Sequence, residues 1–330
     1  MPTSTASAPS LSFPPLQFAK LSPRPYLLAH LNTPTPTGPL RPNGRLLSEF
    51  RPATIHTGSL SHADGSAVIR VGSIAVVCGI RTEVLLRTDC PSWRPSSGGD
   101  NTDIEELGLL VPNVELSTGC TPYHLPGGPP SALAQTLSAR LLALLHSTRL
   151  VDDAALRIYR EKAEVEGGDE GEKETELVAF WTLHISVLFL SFSGEASAFD
   201  AAWAATYAAL KDTVLPRAWW DADREIVVCD DRRDQGSRVQ LKGWPMAVSV
   251  GVVVDRKRAR WVLCDVDGGE EGECTEGATV VVDEGGLKVV KLEKWGGCTM
   301  GKEAVREMMN IASGRWEEWR EAWEKRTRNR

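Results

Sequence analysis

The sequence predicts an α+β fold of mixed, mostly antiparallel sheets packed with helices, and three features carry that expectation. Residues 54–86 alternate apolar and polar side chains between Gly-containing turns, as half-buried antiparallel strands do. Leu133, Leu137, Leu141, Leu144 and Leu145 recur at the spacing of one helix face. A second group of β-rich runs, residues 245–295, precedes a C-terminal helical region, so strands and helices come in blocks and not in the strict alternation of a doubly wound parallel sheet.

Residues 1–16 are rich in Ser and Pro and carry too few apolar side chains to pack. FAKLSPRPYLLAHLN (18–32) predicts a short helix that stops before the Pro/Thr stretch at 33–42, and folded structure is expected from about Arg41. A β-meander follows: TIHTGSL, then AVIRV, then IAVVCGIRTEVLL, with turns at Asp64-Gly65 and Gly72-Ser73. Asp64 reads as a turn residue that sets a hairpin, and Asp64, Gly65, Gly72 and Gly79, the last closing the Val-Cys-Gly run, are expected as the turn residues that define the fold. Residues 87–107 read as an acidic loop, and residues 131–150 as a core-facing helix.

Two strands, ALRIY and AFWTLHISVLFLSF, flank an acidic insertion at 161–177 that is too polar to pack. DAAWAATYAALKDTVL (200–215) reads as an Ala-rich helix N-capped by Asp200, its small side chains permitting close approach to a sheet. The strands PMAVSVGVVV, RWVLCDV, ATVVVDEGG and LKVVKLEKW lead to the last helical region. There Trp316, Trp319 and Trp323 share one face, which points to docking on the body of the protein.

At 330 residues and 42% hydrophobic content the chain suits two domains. A formal net charge of −7 supplies no global attraction to phosphate backbones. The seven cysteines form no CxxC pair and suggest free thiols in a reducing compartment. The most apolar window, VAFWTLHISVLFL, is too short to span a bilayer and is interrupted by His184, so no membrane role is expected. GGCTMGKE (296–303) fits GxxxxGK between a strand and a helix, yet Glu303 replaces the hydroxyl that would hold magnesium. DVDGGEEGECTE (265–276) offers Asp265, Asp267 and Glu276 at calcium-loop spacing, but Glu270 stands where the loop needs glycine. The six histidines lie at no zinc-ligand spacing, and DRKRAR (255–260) reads as a solvated basic turn. No cofactor and no metal is expected.

RPNGRLLSEFRPATIHTGSLSHADGSAVIRVGSIAVVCGI (41–80) closely resembles the opening of the RNase PH family, with Asn43 where that family usually has Asp. LLVPNVEL, GGPPSALAQTLSARLL, the Ala-rich helix and WPMAVSVGVV follow in the family's order. Within the family these segments are similar to the eukaryotic RNA exosome ring, in the ribosomal RNA-processing 43 subfamily, with the 42 and 45 subfamilies as close alternatives. The resemblance implies two RNase-PH-like domains of the ribosomal protein S5 domain 2-like type, at 41–215 and 216–315. An N-terminal extension at 1–40 and a helical tail at 316–330 complete that division. It also implies five other RNase-PH-like subunits in a hetero-hexameric ring, S1/KH cap subunits, single-stranded RNA in the central pore and an associated hydrolytic exoribonuclease. The expected role is support of 3′-to-5′ RNA processing and degradation, including rRNA maturation and mRNA turnover, in nucleus, nucleolus and cytoplasm.

The family's phosphorolytic chemistry needs arginines to hold phosphate and a pair of Asp at the scissile bond. Carried onto this sequence, Pro130 stands at the first Arg position, and Glu195 stands in the second phosphate turn, SGEAS. Glu271 can replace the first Asp, and Gly277 occupies the place of the second. The resemblance therefore implies a catalytically inactive subunit, the alternative being an active phosphate-dependent 3′-to-5′ exoribonuclease of the RNase PH type, with Arg81 and Arg87 as candidate pore contacts to RNA.

Overall fold

The computed structural model describes residues 14–33, 36, 38–91, 93–94, 102–121, 124–125, 129, 131–161, 175–256, 259–297 and 299–328. Pro130, Cys298 and most of the 161–177 insertion lie outside the described residues. The single N-terminal helix expected from the sequence is two, α1 (Pro15–Leu21) and α2 (Pro23–Asn32). Pro23 disfavours helical backbone at the residue before it, and Ser22 accordingly breaks the helix at φ −143°. Leu27 and Leu31 of α2 bury against Val253, Leu263 and Val266.

The meander forms as β1 (Ala53–Thr57), β2 (Gly65–Val71) and β3 (Ile74–Leu86), paired antiparallel. Gly72, at φ 57°, supplies the left-handed position of the two-residue β2–β3 turn, as expected. Asp64-Gly65 is not a tight turn: residues 58–64 form a longer loop between β1 and β2. Asp64 instead ties that loop to β3, its Oδ2 accepting from Thr82 N at 2.7 Å and Thr82 Oγ1 at 2.8 Å. Gly65 is required by packing, because a Cβ there would lie 2.1 Å from Thr213 Oγ1. Gly79 is not a turn residue either; it sits inside β3, where a Cβ would come within 3.0 Å of Leu60 Cδ1.

The loop region at 87–107 opens on a 3-10 turn at Arg87–Asp89 and includes a short helix, α3 (Thr102–Glu106). Then come β4 (Leu110–Leu116), α4 (Ala132–Thr148), β5 (Arg157–Glu161) and β6 (Thr175–Ser191). The first sheet runs β1-β2-β3-β6-β4 with β5 also on β6, and β4–β6 is its parallel pair. The Ala-rich helix α5 (Glu195–Asp212) starts before Asp200, so Asp200 is an interior residue and not the N-cap. The short ribbons β7 (Val214–Leu215), β8 (Ala218–Asp221), β9 (Ile226–Cys229) and β10 (Ser237–Arg238) follow, β7 pairing with β10 and β8 with β9.

The second sheet comprises β11 (Met246–Val254), β12 (Arg260–Cys264), β13 (Glu276–Asp283) and β14 (Lys288–Gly296), in the order β12-β11-β13-β14. Between β12 and β13 the acidic loop folds into a single helical turn, α6 (Gly268–Glu271). Small side chains let α5 lie between the sheets, against β2 and β3 on one side and β11 on the other, and one continuous apolar core spans both sheets. The last helix, α7 (Lys302–Arg328), runs without a break through the tail expected at 316–330 as far as residue 328. Its tryptophans dock as expected: Trp316 Nε1 donates to Trp244 O at 3.0 Å, and Trp244 stacks on Tyr207 of α5.

Candidate functional site

Three helix N-termini, those of α4, α5 and α6, meet at a cleft of about 1030 Å³ that is closed on its far side by Thr279 of β13 and Trp295 of β14. Glu195 and Glu271 line it, and Gly277 lies directly beneath Trp295. The structure thus assembles the described residues of the degenerate set in one place. Ser131, next to Pro130, also lines the cleft.

A helix N-terminus offers unpaired amides and a partial positive charge to an anion. Each of these three is already filled from within. Ser131 Oγ accepts from Ala134 N at 3.1 Å to cap α4. Asp267 caps α6, its Oδ1 accepting from Gly269 N and Glu270 N, both at 3.1 Å. Gly268 N donates to Ser193 Oγ at 3.1 Å. At α5 the cap comes from α6: Glu271 Oε2 accepts from Glu195 N at 2.5 Å, and Oε1 from Ala196 N at 2.8 Å. A carboxylate of the chain therefore occupies the amides that would face a phosphate. Burial pushes the Glu271 carboxyl above its ordinary range; the two amide bonds pull it down, and the like charge of Glu195 adds to the rise.

Among the described residues the cation at the cleft is Arg140, and its Nε and Nη2 are committed as well. Its Nε and Nη2 donate to Glu293 Oε2 at 3.1 and 2.8 Å, Nη2 reaches Thr279 Oγ1 at 3.1 Å, and the guanidinium lies 3.8 Å from the centre of the Phe199 ring. Gly277 and Trp295 are cross-strand partners, and the indole covers the glycine so closely that a Cβ would fall 2.2 Å from the ring. The position where the resemblance places a second carboxylate has no room for a side chain. The fit of Trp295 onto Gly277 is an aromatic covering a bare strand position.

The arginines of the RPNGR signature lie elsewhere. Arg41 is buried, donates to Cys264 O at 2.6 Å and pairs bidentately with Glu270. Arg45 and Arg51 converge on Asp265, at 3.2 and 2.5 Å. Burial alone would raise the Asp265 carboxyl, but bonding to Arg51 and its charge outweigh that and hold it below the usual carboxylate range. These cations fasten the N-terminal segment to the β12–α6 corner. The would-be calcium ligands separate in the same way: Asp265 serves the arginines, Asp267 caps α6, and Glu276 lies in β13 with Lys294 3.9 Å away. Among the described residues no group of three His, Cys, Asp or Glu is arranged to hold a metal ion.

GGCTMGKE is a strand-to-helix turn, with Gly296 at φ 98° and α7 beginning at Lys302. Burial pushes the thiols of Cys78, Cys264 and Cys274 up to about 12, so none of the three is a thiolate nucleophile. Arg81 is exposed on β3 opposite His184, and Arg87 lies 3.6 Å from Glu176 and 5.8 Å from the centre of the Trp93 ring; neither lines the cleft. Arg140, Trp295 and the capping role of Glu271 carry no local sequence signal. The one hint is that Trp and Gly fall opposite each other once β13 and β14 are paired.

A family profile described as the 3′ exoribonuclease family, domain 1 (RNase PH) matches residues 49–216. Exosome complex component rrp43 of Schizosaccharomyces pombe is 33% identical over 306 residues, covering 93% of this chain and 97% of that protein. Exosome complex component Rrp42 of Methanothermobacter thermautotrophicus is 26% identical over 272 residues, covering 82% of this chain and 85% of its own. In fold, the chain is similar to a subunit of the Archaeoglobus fulgidus exosome solved with RNA bound to the active site, at a TM-score of 0.63 and 22% identity over 91% of this chain and 97% of that one. An archaeal exosome core gives a TM-score of 0.62 at 20% identity.

Proposed function

Since the chain belongs to the RNase PH family, we propose that it is a non-catalytic ring subunit of an RNA exosome core, of the 43 type, supporting 3′-to-5′ RNA processing and degradation. One observation carries the loss of catalysis: the α5 amides that face the cleft already hold Glu271, and the cleft's arginine is tied to Glu293. Inorganic phosphate, the nucleophile of phosphorolysis, then meets two carboxylates and a guanidinium already paired with a third. Electrostatic stabilisation is commonly the largest part of such catalysis, and loss of one preorganised donor lowers a rate by about 10² to 10³. The cleft lacks several at once.

The ring role rests on the family and on a relative matched along nearly its whole length. In this reading the chain joins five other RNase-PH-like subunits in a hetero-hexamer that carries S1/KH cap subunits, passes single-stranded RNA through its pore and works with a hydrolytic exoribonuclease. It supports rRNA maturation and mRNA turnover as part of that assembly, and it resides in nucleus, nucleolus and cytoplasm. Arg81 and Arg87 are its proposed pore contacts.

Native mass spectrometry of the tagged chain recovered from its own cells tests the assembly. A hexamer containing five other RNase-PH-like chains is expected; a monomer that recovers none of them would contradict it. Fluorescent tagging of the endogenous chain tests the three locations, and absence from the nucleolus would contradict that part.

A further inference from the structure

Asp200 sits in the middle of α5, facing the second sheet, and the cleft makes no use of its carboxylate. Its Oδ2 accepts from Ser249 N at 2.6 Å and its Oδ1 from Ser249 Oγ at 2.8 Å. Ser249 Oγ lies 2.8 Å from Thr279 Oγ1, and Thr279 Oγ1 accepts from Arg140 Nη2 at 3.1 Å. Four side chains from α5, β11, β13 and α4 thus form one continuous path from the inter-sheet packing to the cleft.

The hydroxyl protons on this path have two consistent arrangements. With Asp200 ionised, every donor points toward it: Arg140 to Thr279, Thr279 to Ser249, Ser249 to Asp200. With Asp200 protonated on Oδ1, the acid donates to Ser249 Oγ and Ser249 donates to Thr279. Thr279 Oγ1 then accepts from both Ser249 and Arg140, using its two lone pairs, and its own proton leaves the path. We propose that Asp200, Ser249, Thr279 and Arg140 form a reversible hydrogen-bond relay that couples the protonation state of Asp200 to the orientation of the Thr279 hydroxyl that accepts from Arg140 at the cleft.

The charged groups around the relay fit a carboxyl that changes state near neutrality. Arg140 of α4 is the cation that favours the ionised form, while Asp265 at the end of β12 opposes it. On β14, Glu293 pairs with Arg140, and Lys291 pairs with the other oxygen of Glu293. β2 and β3 present α5 with apolar side chains and the Cys78 thiol, and α6 places Glu271 at the helix's far N-terminal end. Withdrawal from solvent pushes the Asp200 carboxyl up to about 7, against the downward pull of the two Ser249 bonds and of Arg140.

A folded-state value raised above the unfolded one gives a contribution that is complete below the unfolded value and is lost as pH rises to the folded value. The test is the thermal midpoint of the full-length chain from about pH 3.5 to 9. Wild type and Asp200→Asn are expected to match near the ordinary carboxylate range, about pH 4, and wild type to fall progressively below the variant as pH rises from there, the difference levelling off above about pH 7. Thr279→Val cuts the path without removing a charge, and Arg140→Gln removes its cation. Each is expected to move the pH at which that difference levels off upward, by about one pH unit, the size of effect a close opposite charge has. Parallel pH profiles of wild type and Asp200→Asn would overturn the proposal, as would a levelling point that Thr279→Val and Arg140→Gln leave in place.

Discussion

Glu270 and Glu271 are neighbours in one helical turn, yet they belong to two regions that treat the family's ancestry differently. Glu270 faces the clamp, where Arg41 is fully enclosed and the signature arginines still perform one structural task. Glu271 faces the cleft, where the N-terminus of α5 is filled from within. The clamp keeps its residues because a buried ion pair cannot lose one member without stranding the other charge. In the cleft no such constraint holds, because a cation absent there leaves no buried charge unpaired. The difference separates what the RNase PH family needs in order to fold from what it needs in order to react.

The largest effect is expected at the clamp. Arg41→Ala leaves the Glu270 carboxylate buried and unpaired, and should destabilise the chain by about 3–5 kcal/mol, read as the urea midpoint of unfolding. The double variant Arg41→Met with Glu270→Leu should recover much of that loss. If it does not, the clamp is held by more than its ion pair. Acid should open the same region. Because the folded value of Asp265 lies below its unfolded one, its contribution is complete above the ordinary carboxylate range and disappears as pH falls through the folded value. A thermal midpoint that declines below about pH 4 is expected, and Asp265→Asn should flatten the decline.

The cleft gives smaller effects. Gly277→Asp restores a carboxylate in sequence but drives its Cβ into the Trp295 ring, and should destabilise by about 1–3 kcal/mol without producing activity. Glu271→Ala removes the cap of α5 and should lower stability by about 1–2 kcal/mol, with the loss of protection in amide hydrogen exchange concentrated at residues 195–198. Exchange unchanged at those residues would show that the cap contributes nothing.

The fold was legible in its strands and helices because their periodicities are local properties. The start of α5 was not. Asp200 has the residue type of an N-cap, but the true first turn lies at Glu195 and is capped by Glu271, 76 positions along the chain. Asp64 and Gly79 misled for a similar reason. Asp64 bonds to Thr82 of β3, and Gly79 is small because Leu60 lies over it, so both are fixed by tertiary contacts that no turn rule encodes. At the candidate site, the resemblance identified Glu195, Glu271 and Gly277 as departures from the family. That one departure caps another, and that Trp295 fills the space of a third, emerges only when α5, α6 and β14 are brought together.

The central claim is that this cleft cannot use inorganic phosphate. Its most direct test is release of nucleoside 5′-diphosphates from a 3′-tailed single-stranded RNA by the purified chain, with magnesium, in the presence and absence of inorganic phosphate. No phosphate-dependent release above a no-protein control is expected, from the wild type or from Glu271→Ala. Phosphate-dependent diphosphate release by the wild-type chain that Glu195→Ala or Glu271→Ala changes would contradict the account and return this subunit to the active exoribonucleases.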